Sequence, residues 1–393
     1  MEGPPDRTGS ENRSLSVVSA ISSHDEPMSL FTDHPRARWA APAAAVAVVG
    51  ATTLISNYTA SAGSSLPQRS AAQLLVDVQR AQLAYVSGTV VQSSDLGLPD
   101  LSSLGGGGGG SSSLGSTITG THTWRVWYGG EKQQRLALVG SLGESDVIRN
   151  GTDLWIWSSQ EKTAVHHTLP AHDPAQGKTN PSPRMTDLPK TPEEAAQRAL
   201  AALQPSTEVT TSGAAVVAGR DAYQLVLTPR DTSSLVASVR ISIDAEKHIP
   251  LRVQAYSTKL ANPAFEVGFT SISFDRPDAR QFDFNPPPGT KVTESGALGG
   301  DKSRPDAAHP AKPEVVGTGW GAVAVGTLPA DATSGQGSEQ AQGLLQALPK
   351  VSGSWGSGRL LSGTLFSAVL TDDGRFAVGA VAPERLYAAL AAR

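Results

Sequence analysis

Alternating apolar and polar residues predict β-strands along much of the chain. The clearest case surrounds Asn150-Gly151, a dipeptide that favours a two-residue hairpin turn. In the strand after this turn, Leu154 and Ile156 share one face, and Trp155 and Trp157 share the other. Because both faces are apolar, we expect one to pack in a core and the other to pack against helices or line an apolar cavity.

The same alternation continues in several further segments and predicts an open antiparallel sheet or a partial barrel. Within residues 236–244, Val239, Ile241 and Ile243 share one face while polar side chains occupy the other, which is typical of a half-buried strand. Turns that contain glycine or proline separate the strands. Besides the hairpin strands, the predicted strands are 85–92, 121–128, 134–139, 163–168, 214–218, 222–228, 236–244, 251–257 and 265–274.

Two helices are predicted among these strands. Residues 68–84 carry an apolar stripe with helical spacing, and we expect this helix to begin at Ser70. The second helix opens at Thr191-Pro192-Glu193-Glu194, where threonine is the N-cap and the second glutamate completes a capping box. Pro205 ends the second helix. The proline-rich residues 170–190 before it are predicted to form a loop.

The N-terminal segment is predicted to be a membrane anchor. Residues 1–34 are polar and lack an apolar repeat, so we expect a disordered cytoplasmic tail. Two arginines precede the almost wholly apolar residues 39–55, which reach the lower limit of about 17 residues for a spanning helix. This order predicts a single-pass signal-anchor at 35–58 in the cell membrane, with the following chain extracytoplasmic. The alternatives are a signal peptide cleaved near Ala60-Ser61-Ala62 and an alanine-rich soluble helix.

Domain boundaries follow from the loss of the strand pattern. Pro286-Pro287-Pro288-Gly289 ends the predicted sheet domain, which covers 66–290. A linker is predicted at 291–314 and a small α+β unit at 315–393. In the last unit we expect a strand at 317–328, a helix at 339–348, strands at 365–370 and 376–381 around the turn Asp372-Asp373-Gly374, and a final helix at 383–392.

Composition excludes several classes of function. Charged residues make up 17% of the chain and the net charge is -4, which argues against a nucleic-acid-binding surface. The absence of cysteine excludes disulfides, thiolate catalysis, cysteine metal ligands and a lipid-modified N-terminal cysteine.

Enzymatic chemistry has little support in the sequence. His166, His167, His172 and Asp173 form the densest cluster of potential zinc ligands. They lie at a strand end and in a proline-rich loop, so a solvated loop is the better interpretation. The chain contains neither a Gly-x-Ser-x-Gly elbow, nor a phosphate-binding loop, nor a His-Glu-x-x-His motif. A hydrolase of unknown class therefore remains only as a third hypothesis.

Three segments resemble one superfamily of bacterial envelope proteins. Ile148–Trp157 resembles the central hairpin of lipoprotein carriers of the LolA and LolB type. Ala218–Leu225 is similar to a strand turn of the related RseB/MucB and LppX groups, and Ile243–Arg252 resembles the entry to a following strand in those groups. The similarity covers roughly residues 70–290. With its membrane segment and C-terminal unit, the chain looks like a membrane-anchored actinobacterial branch of this superfamily.

The resemblance implies a mainly β fold, namely a half-open antiparallel barrel with lid helices and an apolar cavity for acyl chains. In LolA-type carriers a strand arginine holds the lid, and Arg125 and Arg135 lie in the corresponding neighbourhood. Only one face of each strand can line such a cavity, so about half of the candidate residues should be plain core. No catalytic residue, metal or cofactor is implied. The candidate lining residues are Trp124, Trp127, Leu136, Leu138, Leu154, Trp155, Ile156, Trp157, Tyr223, Leu225, Val239, Ile241 and Phe269.

Two hypotheses from different classes precede the hydrolase. The first is a membrane-anchored, extracytoplasmic, non-enzymatic carrier or chaperone that binds the acyl chains of lipids or lipoproteins. The second is an RseB-like envelope-stress sensor or regulator whose C-terminal unit contacts a membrane-protein partner. The sequence favours the first.

Overall fold

The computed structural model describes residues 66–98, 119–141, 143–169, 197, 200–295, 313–328 and 345–392. The predicted cytoplasmic tail, the signal-anchor and the capping box at residue 191 lie outside these residues. No helix among the described residues is long and apolar enough to cross a membrane. Residues 200–203 are helical and end shortly before Pro205, as expected for the second predicted helix.

Most of the described chain forms one large sheet of twelve strands. These are β1 (Val86–Ser94), β2 (Gly120–Tyr128), β3 (Gln133–Val139), β4 (Glu144–Asn150), β5 (Asp153–Ser158), β6 (Thr163–Thr168), β7 (Thr207–Val217), β8 (Arg220–Pro229), β9 (Val236–Asp244), β10 (Pro250–Ser257), β11 (Pro263–Ser273) and β12 (Lys291–Ser295). Their order is β12-β6-β5-β4-β3-β2-β1-β11-β10-β9-β8-β7, so β12 and β7 are the two edges. All neighbours are antiparallel except the parallel pair β12 and β6. The predicted mainly β fold with an unclosed sheet is confirmed.

Two segments differ from the sequence-based expectation. Strand β7 begins at Thr207, well before the predicted start at residue 214. Thr207, Val209, Thr210 and Thr211 are β-branched, and their stiff side chains favour an extended chain even though most of them are polar. Residues 291–295, predicted as linker, form strand β12 instead. Their partner β6 lies more than a hundred residues earlier, so no local pattern shows the pairing.

The register divides the side chains of the sheet between two faces, because directly paired residues in antiparallel strands point the same way. One set, which we call the apolar face, is largely hydrophobic. It includes Val90, Trp124, Leu136, Leu138, Ile156, Tyr223, Leu225, Val239, Ile241 and Val253. The other set, which we call the opposite face, carries most of the charged strand residues. It includes Arg125, Arg135, Asp146, Asp153, His166, Arg240 and Arg252.

Helix α1 (Ala71–Arg80) packs on the apolar face where β7 and β8 lie. The Ser70 hydroxyl accepts a hydrogen bond from the Gln73 N–H, and the Gln73 side chain accepts one from the Ser70 N–H, so the predicted helix start is confirmed. Leu74 is fully buried among Tyr223, Leu225 and their neighbours in the main hydrophobic core. One predicted lid helix therefore covers the β7–β11 part of the apolar face.

The C-terminal residues form a second, smaller sheet with one helix. Its strands are β13 (Glu314–Val316), β14 (Val323–Thr327), β15 (Lys350–Gly353), β16 (Gly356–Ser362), β17 (Ser367–Thr371) and β18 (Arg375–Gly379), in the order β13-β14-β18-β17-β16-β15. Helix α2 (Pro383–Ala391) buries Leu386 and Leu390 against one face of this sheet. The predicted strand at 317–328 is shorter, because Gly319–Gly321 forms a 3-10 turn before β14. The turn at Gly374 lies between β17 and β18 as expected.

The two sheets share part of their core. Trp320 and Leu365 of the C-terminal unit pack against the hydrophobic cluster beneath α1. The Trp320 indole Nε1–H donates to the Thr207 hydroxyl at 2.8 Å, and the Ser257 hydroxyl donates to the Thr364 carbonyl at 2.6 Å. The C-terminal unit thus contributes to the cover over the β7–β11 part of the apolar face.

Gly88 is required where β1 lies between β2 and β11. A Cβ at this position would lie 2.2 Å from the Ser271 carbonyl oxygen, inside any permitted contact. We expect Gly88→Ala to lower the free energy of unfolding by about 1–3 kcal/mol, because β1 or β11 must shift. Urea unfolding of the full-length protein measures the effect, with Ser87→Ala on the same strand as the control. Equal stability of the Gly88→Ala variant and the parent would contradict the prediction.

Candidate functional site

Five branched aliphatic side chains form a continuous row across β2 to β6 on the apolar face. Val126 pairs with Leu136, Leu136 with Val147, Val147 with Ile156, and Ile156 with Val165. We call this set the aliphatic row. Four strand spacings of about 4.8 Å give the row a length of about 19 Å.

The aliphatic row is incompletely buried. Leu136 is 37% exposed, and the other four side chains are half-buried. By contrast, Tyr223, Leu225, Val239 and Ile241 on the same face are all less than 9% exposed beneath α1. The sheet therefore carries its packed core at one end and an accessible apolar surface at the other.

Buried side chains lie beside the aliphatic row toward the start of β2. Trp124 and Leu138 are paired on the apolar face, and Leu138 is fully buried. The Trp124 indole Nε1–H donates to the Gln92 side-chain oxygen at 2.7 Å in the interior. This hydrogen bond fixes the indole, so the ring forms a rigid boundary of the row.

The other boundary of the aliphatic row contains polar side chains. Leu154 pairs with Arg149 on one side and with His167 on the other, so these three residues form a line parallel to the row. The Arg149 Nε–H donates to the Gly151 carbonyl at 3.2 Å. His167 is only 8% exposed.

The predicted lining residues fall into three groups. Leu136 and Ile156 belong to the aliphatic row, while Trp124, Leu138 and Leu154 border it. Tyr223, Leu225, Val239 and Ile241 form the core with α1, and Phe269 packs in a smaller cluster with Val217 and Leu251. Trp127, Trp155 and Trp157 lie on the opposite face, away from the other candidates.

The tryptophans of the opposite face have partners of their own. Trp155 stacks on His166 with ring centroids 4.2 Å apart, and Phe284 lies 5.3 Å from Trp155 and 5.8 Å from Trp157. Phe284 belongs to the segment between β11 and β12. The apolar second face of the hairpin strand is therefore covered by that segment, not by helices or by the aliphatic row.

A buried ion pair lies beside these tryptophans. The Arg135 guanidinium donates to Asp146 at 2.7 Å and to Glu144 at 3.2 Å, and it lies 5.1 Å from the Trp127 ring centroid. Burial raises the pKa of Asp146 to about 7, although Arg135 acts in the other direction. Arg125 is exposed on the same face, so neither predicted arginine lies on the face that carries α1.

The predicted histidine cluster is divided by the pleat of β6. His166 lies on the opposite face, where its two ring nitrogens contact Glu294 at 2.8 Å and Asp153 at 2.9 Å. Burial lowers the pKa of His166, but these two carboxylates outweigh it and raise the pKa above its usual value. His172 and Asp173 lie outside the described residues. Within the described ranges, no group of three histidine or acidic side chains is arranged to hold a metal ion.

Two of the segments that suggested the superfamily meet in the structure. Arg220 at the start of β8 forms an ion pair with Asp244 at the end of β9. Asp244 is fully buried and also accepts the backbone N–H groups of Glu246 and Lys247. The similarity in these segments thus reflects the joining of two hairpins.

The sequence interpretation missed three members of the aliphatic row, Val126, Val147 and Val165. The signal that identifies them is cross-strand register, since each stands opposite a predicted lining residue.

Two depressions lined by described residues lie elsewhere. One of about 410 Å³ borders Arg69, Asp77 and Gln197, and one of about 210 Å³ borders Arg359. The accessible apolar site of the described sheet is thus a surface row.

The strands that carry the aliphatic row lie within a match to a known family of domains. Residues 113–283 match the family described as the MucB/RseB N-terminal domain. The match extends through β11 and includes the whole aliphatic row, whereas α1, β1, β12 and the C-terminal unit lie outside it. The resemblance to the LolA/RseB superfamily is confirmed.

Several solved structures are similar to parts of the chain. The Pseudomonas aeruginosa MucA/MucB complex gives 16% identity and a TM-score of 0.38, over 81% of this chain and 94% of that chain. An uncharacterized conserved protein from Thermus thermophilus gives 12% identity and a TM-score of 0.31, over 56% and 97%. A LolA superfamily protein from Nitrosomonas europaea gives 10% identity and a TM-score of 0.20, over 55% and 99%. These TM-scores are below 0.5 and carry no conclusion about function. No curated protein matches the chain.

Proposed function

We propose that this protein binds the acyl chains of lipids or lipoproteins along the apolar face of its large sheet, as a non-enzymatic carrier or chaperone. The observation that supports this is the aliphatic row, which runs in register across five strands with no fully buried member. A continuous row of partly exposed apolar side chains supports the binding of an apolar partner. The uncharged, linear character of the row suits a hydrocarbon chain.

The energetics favour exchange over permanent capture. Each methylene removed from water contributes about 0.8 kcal/mol, but a chain that leaves a membrane was already out of water. Its transfer to the row is therefore close to neutral, and small differences in contact with the row set the direction. A carrier needs this reversibility to release its cargo.

The proposed setting is the outer surface of the cell membrane. A signal-anchor at 35–58 would tether the domain there through residues 39–55, with the sheet in the extracytoplasmic space. Acyl chains of membrane lipids or lipoproteins would then lie within reach of the row.

Lipid transfer by the full-length protein tests the proposal. The protein is reconstituted in acceptor vesicles, and donor phosphatidylcholine vesicles carry a pyrene-labelled acyl chain whose excimer signal falls on transfer. We expect Leu136→Asp to slow transfer about tenfold, because a carboxylate among methylenes costs at least about 1.4 kcal/mol. Leu136 is 37% exposed, so the substitution should leave the fold intact.

The matched control is Val216→Asp on the edge strand β7. Val216 is 41% exposed and lies in the same sheet, far from the aliphatic row in strand order. We expect this variant to transfer lipid at the parent rate. Equal slowing by both substitutions, or a parent protein that transfers no lipid, would contradict the carrier function.

The second candidate function is an RseB-like sensor that acts through a membrane-protein partner. It is supported by the family of the matched domain and by the shared core, in which Trp320 and Leu365 of the C-terminal unit meet the sheet. A partner on the C-terminal unit would thereby be coupled to the apolar face. A parent protein without lipid transfer would favour this candidate.

A further inference from the structure

The polar boundary of the aliphatic row contains a buried nitrogen without a partner. His167 is only 8% exposed, and its Nδ1 has no hydrogen-bond partner among the described residues. A buried polar atom left unpaired costs about 1–3 kcal/mol. Such an atom on an otherwise apolar face indicates a position where a ligand or a water molecule supplies the missing hydrogen bond.

His167 lies at one end of the aliphatic row. It shares the apolar face with Val165, which is two residues earlier on β6, and it stands directly opposite Leu154. The row ends at Val165 on β6, and β12 is the only strand beyond it in the sheet order. A linear ligand along the row would therefore present one terminus to His167.

A positive charge lies on the same boundary. Arg149 is half-buried and stands opposite Leu154 on the side away from His167. Two strand spacings place Arg149 and His167 about 10 Å apart on one face. His167 can therefore donate to an oxygen acceptor at this end of the row. Arg149 flanks Val147 in the middle of the row, and its positive charge favours an anionic acceptor over a neutral one.

We propose that the row binds one long-chain acyl group of about 16 carbons, whose carboxylate or ester carbonyl oxygen accepts a hydrogen bond from His167, about 10 Å from Arg149 across the sheet. The inference rests on the proposed lipid-binding function and adds to it the chain length, the orientation and the polar anchor. A free fatty acid and an ester-linked lipid share this chemistry.

The length follows from the sheet geometry. The five strands of the row span about 19 Å at about 4.8 Å per spacing. An extended hydrocarbon zigzag with carbon–carbon bonds of about 1.5 Å advances about 1.3 Å per bond, so about 15 bonds cover that distance. Shorter chains leave part of the row in contact with water, and longer chains extend beyond Val126.

Competitive displacement of a fluorescent fatty acid from the full-length protein tests chain length. The probes are octanoate, laurate, palmitate and arachidate. We expect palmitate to bind at least a hundredfold more tightly than octanoate, with no further gain for arachidate. Equal affinity for octanoate and palmitate, or a continued rise to arachidate, would overturn the assignment of chain length.

Substitutions at the polar end test the anchor. We expect His167→Leu to weaken palmitate binding about tenfold, and His167→Gln, which keeps a donor, to restore most of it. Arg149→Gln should weaken binding of palmitate and leave methyl palmitate unchanged if the ligand is a free acid. Arg149→Gln should change the affinity for neither palmitate nor methyl palmitate if the site binds an ester through His167 alone. The control is His166→Leu, the neighbouring histidine on the opposite face, and we expect it to bind palmitate like the parent.

The outcomes separate this inference from the proposed function. If the parent protein binds palmitate and the His167→Leu variant binds it equally well, the anchor is overturned and the acyl-binding function stays in place. Arg149 is half-buried, so its variant supplies an independent reading if His167→Leu does not fold. A parent that binds none of the probes would overturn both.

Discussion

Replacing Asp244 by alanine is expected to lower the free energy of unfolding by about 3–5 kcal/mol, because it leaves the Arg220 guanidinium without its buried partner. Asp244 is fully buried. Its carboxylate also accepts the backbone N–H groups of Glu246 and Lys247, so the substitution removes the hydrogen bonds that order the turn between β9 and β10. Urea unfolding of the full-length protein measures the loss.

The matched control is Glu246→Ala, which removes the other carboxylate bound by Arg220. Glu246 has 68% of its side chain exposed, so its loss should cost far less stability than the loss of Asp244. Burial raises the pKa of Asp244, but Arg220 and the two backbone donors outweigh burial and lower the pKa below its usual value. The stabilisation by Asp244 is therefore present at neutral pH and is lost as the pH falls below 3.8 toward the folded-state pKa. A deficit of equal size for both variants would contradict this account.

The second large effect is a pH dependence of stability that is opposite in sign to the contribution of Asp244. Burial raises the pKa of Asp146 to about 7 in the folded protein, against 3.8 when the carboxyl is solvated. Between these values the folded state binds the proton more tightly, so this group makes the protein less stable as the pH rises from about 4 to about 7. Binding of one proton changes the free energy of unfolding by at most about 1.4 kcal/mol per pH unit. The loss of stability between about pH 4 and about pH 7 is therefore on the order of 3 kcal/mol.

Asp146→Asn isolates this contribution. Asparagine keeps an oxygen acceptor for Arg135 and does not titrate, so the difference in stability between parent and variant should change steadily between about pH 4 and pH 7. Glu144→Gln should reduce this change, since Glu144 contacts the same guanidinium and its negative charge adds to the rise in the Asp146 pKa. A parent-minus-variant difference that is flat across this range would show that Asp146 stays ionised beside Arg135.

Local pattern was sufficient for most of the strands and for the hairpin turns. The turn at Asn150-Gly151 lies between β4 and β5, and Gly151 has a positive φ of 65°. Ser70 begins α1 because its capping box involves residues three positions apart. In each case the residues that decide the structure lie within a few positions of one another, so the sequence alone contains the information.

Contacts between distant segments could not be predicted from local sequence pattern. The sequence predicted a linker where β12 lies, because its partner β6 is far away in sequence. The apolar second face of β5 was compatible with a helix or a cavity, and only the structure shows that Phe284 packs there. The aliphatic row also depends on the register of four strand pairs, of which the sequence indicates only the hairpin turns.

The central position of β1 has a consequence for how the chain folds. Strands β2–β6 and β7–β11 are two meanders whose pairings are local, and only β1 joins them, with Thr89 and Ser271 in contact across 182 residues. Closing so long a loop is entropically costly and slow compared with hairpin formation. Until β1 is in place, β2 and β11 each present an unpaired edge that can pair with another molecule. Correct assembly therefore depends on one strand near the start of the described chain, and its insertion competes with aggregation.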